Sequence, residues 1–145
     1  ADQLDRAVSD MRAAATELAD AIDRDAESYN AVLSAFKLPK DSPEEARRRE
    51  EAIQQATRGA AEVPMAVARK SLELFERLGQ LEAISSASML SDLRVARLMA
   101  AAGARGALAN VAINLDSITD ASFVAAMRTQ SQDIESRLTA RAVRD

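Results

Sequence analysis

The sequence predicts an all-α fold, a bundle of about four long antiparallel helices. Apolar residues make up 48% of the 145 and aromatic residues only 3%, so the core must consist of Ala, Leu, Val, Ile and Met. Alanine favours helix more than any other residue. Four Gly and three Pro leave few places for turns, and long helices joined by short turns pack antiparallel. The length fits one domain with a real core, and helices this long favour a dimer.

The first helix is predicted from apolar residues at alternating steps of three and four. They are Leu4, Val8, Met11, Ala15, Leu18, Ile22, Tyr29, Val32 and Phe36. The step after Ile22 falls on Asp25, so a carboxylate interrupts the stripe. Pro39 ends this helix because it biases Leu38 away from the α region.

The second helix is predicted to begin at Ser42-Pro43-Glu44-Glu45, which supplies an N-cap, Pro at the first helical position and a capping-box Glu. It carries Pro64 in its interior, where a kink is expected. The serines at 85, 86 and 88 mark its end.

The third helix is predicted to be capped by Ser91-Asp92 and to run to about Leu115. One of its faces is almost entirely small, which suits close packing against another helix. That face consists of Ala96, Ala100, Gly103, Ala107, Asn110 and Asn114. A last helix is expected to be capped by Thr119 or Asp120.

The composition excludes several classes of chemistry. The chain has no Cys, which removes disulfides and thiol nucleophiles, and no His, which removes the usual general base. The Glu-x-x-His pairs of carboxylate-bridged metal sites are absent, so we predict no metal.

The net charge of −4 argues against a nucleic-acid partner. No stretch reaches the roughly 18 uncharged apolar residues of a membrane span. We therefore expect a soluble protein, and the lack of Cys is compatible with the cytoplasm.

Asp25 is the most informative residue of the sequence. A carboxylate on a buried stripe is costly unless it is paired or hydrogen-bonded. One interpretation is that the stripe drifts, because 3.6 residues per turn is not 3.5, and leaves Asp25 at its edge. The other is a functional carboxylate with a perturbed pKa, acting as base or nucleophile. The pattern alone leaves both open.

Four other polar residues have a structural interpretation that the pattern favours. Asp92 fits ordinary capping chemistry at a helix start. Asn110 and Asn114 lie one turn apart and fit hydrogen bonds between helices. Lys40 follows a Pro turn and fits a solvent-facing charge.

Several ordered blocks resemble the cyclodeaminase domain of formiminotransferase-cyclodeaminase. They are Asp23-Arg24-Asp25-Ala26-Glu27-Ser28-Tyr29, Leu38-Pro39-Lys40, Ser42-Pro43-Glu44-Glu45, Ala52-Ile53-Gln54, Glu62-Val63-Pro64, Ser91-Asp92-Leu93-Arg94-Val95-Ala96, Asn110-Val111-Ala112-Ile113-Asn114-Leu115 and Ile118-Thr119-Asp120-Ala121-Ser122-Phe123. No single block is specific, but together they cover nearly the whole chain in matching order.

The resemblance implies an all-helical homodimer that binds tetrahydrofolate derivatives. Such domains release ammonia from 5-formiminotetrahydrofolate to give 5,10-methenyltetrahydrofolate, or act as methenyltetrahydrofolate cyclohydrolases. The resemblance places the catalytic aspartate at Asp25. It makes Asp92 and Asn114 substrate-binding candidates, with Lys40 and Asn110 as further ones.

The sequence departs from the family in two places. Nothing matches the family's N-terminal helical segment with its Pro-Gly-Gly-Gly-Ser stretch, and Ser85-Ser86 replaces a usual Gly-Asn pair. The chain opens at Ala1, without Met and already in helical register. We therefore expect a single domain, 1–145, that is N-terminally incomplete relative to the family. One possibility is that the segment is merely missing from the given sequence. The other is that the protein has lost the segment and, with it, the activity. The alternative function is a non-catalytic helical dimer that binds a folate-like ligand or a protein partner.

Overall fold

The computed structural model describes the backbone of residues 2–142 and the side chains of residues 5–140. Its helices are α1 (Asp2–Phe36), α2 (Pro43–Glu82), α3 (Leu90–Leu115) and α4 (Ala121–Ala142), with a short 3₁₀ turn at Ala87–Met89 before α3. The described residues contain no strand. The predicted all-α fold with four helices is confirmed.

Helix α2 is the centre of the bundle, because it contacts α1, α3 and α4. The core lies where α2, α3 and α4 meet, and its largest fully buried side chains are Met65, Val111 and Leu138. Within the described part of the chain, α1 packs against α2 alone. The bundle is therefore a three-helix core with α1 laid against one side.

The start of α2 follows the sequence prediction. The Ser42 hydroxyl accepts a hydrogen bond from the Glu45 N–H at 3.2 Å, and the Glu45 carboxylate accepts one from the Ser42 N–H at 3.1 Å. Both halves of the capping box are thus present. One turn later, the Arg49 guanidinium donates to the Phe36 carbonyl at 3.2 Å, which ties the last turn of α1 to α2.

The predicted cap of α3 is wrong. The 3₁₀ turn, closed by a hydrogen bond from the Met89 N–H to the Ser86 carbonyl at 3.0 Å, leads the chain into α3 at Leu90. Met89 occupies the cap position without a side-chain hydrogen bond, and Asp92 lies in the first turn. The predicted cap of α4 is confirmed, because Asp120 accepts hydrogen bonds from the Ser122 and Phe123 N–H groups at 3.0 Å.

The face that α1 turns toward α2 differs from the predicted stripe. Its most buried members are Ala14, Ala21 and Ala35, whereas Ile22 is 72% and Tyr29 62% exposed. Alanines let the two helices approach closely, so the small face is packed and the large side chains flank it. The predicted stripe mixed residues from two neighbouring faces.

Helix α3 is apolar on more than one side. Its packed face places Ala101, Ala104, Val111 and Leu115 in the core. By length and composition alone, one helical stretch of the described residues, Ala87–Leu115, is long and apolar enough to cross a membrane, and only 22% of its most apolar window is buried within the bundle.

Candidate functional site

A cleft of about 370 Å³ lies where α1, α2 and α3 come together. The apolar residues that line it are Leu18, Ala21 and Ile22 from α1, Val63, Pro64 and Val67 from α2, and Gly103, Gly106 and Ala107 from α3. Two polar residues complete the lining, Asp25 from α1 and Asn110 from α3. The cleft is thus a mostly apolar cavity with a carboxylate and an amide.

Asp25 continues the register of the packed face of α1, one turn after Ala21, yet it is exposed. It lines the cleft, whose α3 wall includes the small residues Gly103, Gly106 and Ala107. Among the described residues none forms an ion pair with Asp25, and only its backbone carbonyl accepts a hydrogen bond, from the Ser28 hydroxyl at 2.8 Å. Its carboxylate is therefore free to meet a ligand.

The second polar residue, Asn110, is held by Asn114. The Asn114 Nδ2 donates to the Asn110 carbonyl at 3.1 Å and to its Oδ1 at 3.4 Å. These bonds leave the Asn110 NH₂ group available to donate into the cleft. Asp25 and Asn110 thus supply an acceptor and a donor from two different helices.

Asn114 also bonds across to α2, and Pro64 explains why. Proline has no N–H, so the carbonyl four residues earlier, that of Ala60, lacks its helical donor. The Asn114 Nδ2 donates to this Ala60 carbonyl at 3.2 Å. The amide of α3 therefore satisfies the backbone group that the proline of α2 leaves open. The bridging role that the sequence favoured for Asn114 is present, and it supports the wall of the cleft.

The structure does not bring Lys40 or Asp92 to this cleft. Lys40 is exposed in the connection after α1, and Asp25 lies eleven residues before the end of that helix, about 16 Å by helical rise. Asp92 is exposed in the first turn of α3, again about 16 Å by helical rise from Gly103. Substrate binding by either residue stays a prediction.

The sequence pattern missed the cleft role of Pro64, Gly103 and Gly106. The sequence feature that pointed to the glycine side of the cleft was the small face of α3, which the sequence analysis interpreted as a packing face. That interpretation is partly right, because a Cβ on Gly103 would meet the Ser71 Oγ on α2 at 3.5 Å, an ordinary contact. The small residues therefore pack against α2 on one side and open the cleft on the other.

One ion pair holds α1 beside the cleft. The Lys70 ammonium on α2 lies 2.8 Å from the Glu17 carboxylate on α1 and 3.0 Å from Glu73. Hydrogen bonds to Glu17 and then to Glu73 raise the pKa of Lys70 above its ordinary value.

The described residues contain no group of three or more acidic side chains placed to hold a metal ion.

Comparisons with known proteins agree on one family. The sequence profile of the formiminotransferase-cyclodeaminase family matches residues 1–133. The formimidoyltransferase-cyclodeaminase of Sus scrofa is 39% identical over 123 residues, which cover 85% of this chain and 23% of that protein. The methenyltetrahydrofolate cyclohydrolase of Methylorubrum extorquens is 35% identical over 99 residues, covering 68% of this chain and 48% of that protein.

A solved structure supports the same conclusion. The formiminotetrahydrofolate cyclodeaminase of Thermotoga maritima superposes with a TM-score of 0.73 at 27% identity, covering 95% of this chain and 65% of that one. The chain spans about a quarter of the length of the mammalian relative. Because the family profile covers almost the whole chain, the protein belongs to the formiminotransferase-cyclodeaminase family.

Proposed function

We propose that the cleft binds a tetrahydrofolate derivative and that the domain is a cyclodeaminase, which converts 5-formiminotetrahydrofolate to 5,10-methenyltetrahydrofolate and ammonia. The observation that carries the proposal is the free carboxylate of Asp25 in an apolar cleft lined also by Asn110. The names of the relatives support the choice of substrate.

The dimensions of the cleft suit part of such a ligand. Small-molecule sites are mostly apolar cavities of about 300–1,000 Å³ with few polar groups, and this cleft holds about 370 Å³. A flat ring system would lie between the aliphatic side chains of α1 and α2 and the glycine wall of α3. The Asn110 amide would donate to a ring or carbonyl acceptor. The remainder of the folate would extend out of the open side.

The reaction requires one proton to move between two nitrogens. The N10 lone pair attacks the carbon of the N5 amidinium, and the new C–N10 bond forms while the positive charge moves to N10. The Asp25 carboxylate takes the N10 proton and delivers it to the NH₂ group on the same carbon. The C–N bond to that group then breaks and ammonia leaves, which restores the carboxylate and leaves the methenyl cation. A carboxylate beside the cation also stabilises its charge.

The same cleft suits methenyltetrahydrofolate hydrolysis, and the relative from Methylorubrum extorquens favours this second candidate. Water would attack the methenyl carbon, and Asp25 would accept one water proton, which leaves a neutral carbinolamine. Asp25 would return this proton to N5 or N10 as the C–N bond to that nitrogen breaks, and the hydroxyl group would lose its proton to solvent as the formyl carbonyl forms. Assays with each substrate separate the two reactions, because only the cyclodeaminase releases ammonia.

Replacing Asp25 tests the mechanism. We expect Asp25→Asn to lower turnover by about 10²–10⁴-fold, the usual contribution of a positioned acid or base, because the amide cannot carry the proton. The measurement is formation or loss of the methenyl product, with circular dichroism to check that helicity is retained.

Asp23→Asn is the matched control. Asp23 is exposed on the same helix, two residues away and outside the cleft lining, so its replacement removes the same charge without touching the site. Normal turnover by Asp25→Asn, or equal loss in both variants, would overturn the assignment.

A non-catalytic folate-binding or partner-binding domain is the alternative, since the chain spans only part of its relatives. Calorimetric titration with tetrahydrofolate distinguishes the cases. Binding without turnover favours the binding domain, and neither heat nor thermal stabilisation favours a protein-partner domain.

A further inference from the structure

The side-chain NH₂ group of Asn114 makes three contacts, and each of them is with an oxygen. Its Nδ2 atom lies 3.2 Å from the Ala60 carbonyl oxygen, 3.1 Å from the Asn110 carbonyl oxygen and 3.4 Å from the Asn110 Oδ1. These oxygens accept hydrogen bonds and do not donate them, so the NH₂ end of the Asn114 amide must face them. Groups on two helices, α2 and α3, therefore fix the orientation of this amide.

The orientation of Asn114 determines which end of the Asn110 amide faces the cleft. Half a turn about the terminal bond of an asparagine exchanges its oxygen with its NH₂ group. Beside the Asn114 NH₂ group, Asn110 gains a hydrogen bond only when its Oδ1 is on that side, because two NH₂ groups repel. Asn110 is exposed, so close packing does not hold its amide. Among the described residues, Asn114 is the one polar partner of this amide.

We propose that Asn114 is a positioning residue, which acts through Asn110 to make this point of the cleft a hydrogen-bond donor. The cleft then favours a ligand that presents an acceptor to Asn110, because a donor there would leave both groups without a hydrogen bond. Asn114 itself is half-buried and does not line the cleft. Its role is thus indirect, in contrast to the substrate contact that the family resemblance implies.

In a tetrahydrofolate, the acceptor that fits this position is the 4-oxo group of the pterin ring. This oxygen lies beside N5, because C4 and N5 are bonded to the same ring-fusion carbon. A ligand whose one-carbon group on N5 faces Asp25 of α1 can therefore present its 4-oxo group to Asn110 of α3. A few placed polar groups of this kind orient a ligand in a mostly apolar site. The assignment rests on the proposed function, since it takes a pterin as the ligand.

A comparison of two ligands tests the proposal. Tetrahydrofolate carries the 4-oxo acceptor, and its 4-amino analogue carries an NH₂ donor in the same place. Calorimetric titration gives a Kd for each, and the ratio of the two values measures the preference for the 4-oxo ligand. We expect Asn114→Ala to lower this preference by about tenfold, because the released Asn110 amide can turn its oxygen toward the cleft. A variant that only loosens the cleft weakens both ligands alike and leaves the ratio unchanged.

Removal of Asn110 tests whether the effect passes through that residue. We expect Asn110→Ala to lower the preference by a similar factor. The double variant Asn110→Ala/Asn114→Ala should lower it no further, since no amide remains to be oriented. Asn30→Ala is the matched control, because Asn30 is exposed on α1 and lies outside the cleft lining. Its ratio should equal that of the natural chain.

A second double variant separates the positioning role of Asn114 from its contribution to stability. In Pro64→Ala/Asn114→Ala, the backbone N–H gained at position 64 can donate to the Ala60 carbonyl. The fold then regains this hydrogen bond while the Asn110 amide stays unoriented. We expect the double variant to unfold at a higher urea concentration than Asn114→Ala and still to show the lowered preference. Pro64→Ala alone supplies the reference ratio, because Pro64 lines the cleft.

The possible outcomes separate this proposal from the proposed function. A ratio unchanged by Asn114→Ala, or a ratio that recovers together with stability in Pro64→Ala/Asn114→Ala, would overturn the positioning role and leave folate binding intact. A further loss of preference in Asn110→Ala/Asn114→Ala would also overturn it, because Asn114 would then act on the ligand without Asn110. Binding of neither ligand by the natural chain would overturn the proposed function and this specificity with it.

Discussion

At the scale of single residues, the support of the cleft depends on one exchange of hydrogen bonds. Pro64 deprives the Ala60 carbonyl of its helical donor, and the Asn114 amide replaces it from α3 at 3.2 Å. Buried or half-buried carbonyls left without a donor cost about 1–3 kcal/mol. The proline and the asparagine, 50 positions apart in the sequence, therefore act as a pair.

A double-mutant cycle checks this pairing. We expect Asn114→Ala alone to lower the free energy of unfolding by about 1–3 kcal/mol. In a Pro64→Ala background the same change should cost less by about 1 kcal/mol, because replacing the proline restores a backbone N–H that donates to the Ala60 carbonyl. Urea unfolding of the four proteins measures the coupling. Strictly additive effects would show that the two residues do not share this carbonyl.

The sequence located Asp25 but could not specify its environment. Its periodicity placed the carboxylate on the apolar stripe of α1, and the structure places it in the register of the packed face, among the residues that line the cleft. The missing information lay on another helix, since Gly103 and Gly106 of α3 leave the space in front of it. One helix pattern does not contain the shape of the opposite wall.

At the scale of helices, local capping signals were reliable where the side chain itself closes the hydrogen bond. The Ser42 and Asp120 caps form as predicted. The start of α3 did not follow its signal because a 3₁₀ turn set the backbone before Ser91. The α1 face was mispredicted for a different reason. α1 carries two apolar stripes side by side, and hydrophobicity alone favours the one with Ile22 and Tyr29 over the alanines that pack.

The Asp120 cap makes the start of α4 sensitive to acid. The Ser122 hydroxyl and then the Phe123 N–H lower the pKa of Asp120 below its ordinary value of 3.8. A lowered folded pKa contributes stability that is fully present above the unfolded pKa and is lost as the pH falls through the folded one. The cap therefore supports α4 above about pH 4 and weakens below it.

Asp120→Asn isolates this charge, because asparagine still caps but does not titrate. We expect the wild type to be more stable than the variant at pH 7 and this advantage to shrink below about pH 4. Thermal unfolding of both proteins from pH 7 down to pH 2 measures the difference. An advantage that stays constant over the whole range would contradict the role of the Asp120 charge.

At the scale of the whole molecule, the candidate site lies between the core of the bundle and helix α1, which is attached to that core less extensively than the other helices. Helices α2, α3 and α4 share the core, whereas α1 is held by α2 alone within the described residues. It is held through its alanine face, the Lys70–Glu17 and Arg77–Asp10 ion pairs and the Arg49–Phe36 hydrogen bonds. Elements with few buried contacts open locally at lower free energy than the core. The cleft lies at this boundary, with Asp25 on the weakly attached helix and Asn110 on the core.

A ligand that fills the cleft would bridge α1 to α3, which have no contact of their own in the described part of the chain. We therefore expect α1 amides to exchange with deuterium faster than those of α2 and α3 in the free protein, and tetrahydrofolate to slow exchange in α1 most strongly. Binding only to the native cleft stabilises the closed arrangement by mass action. Hydrogen exchange with mass spectrometry resolves the helices by peptide. Protection confined to α4, which does not line the cleft, would place the ligand elsewhere.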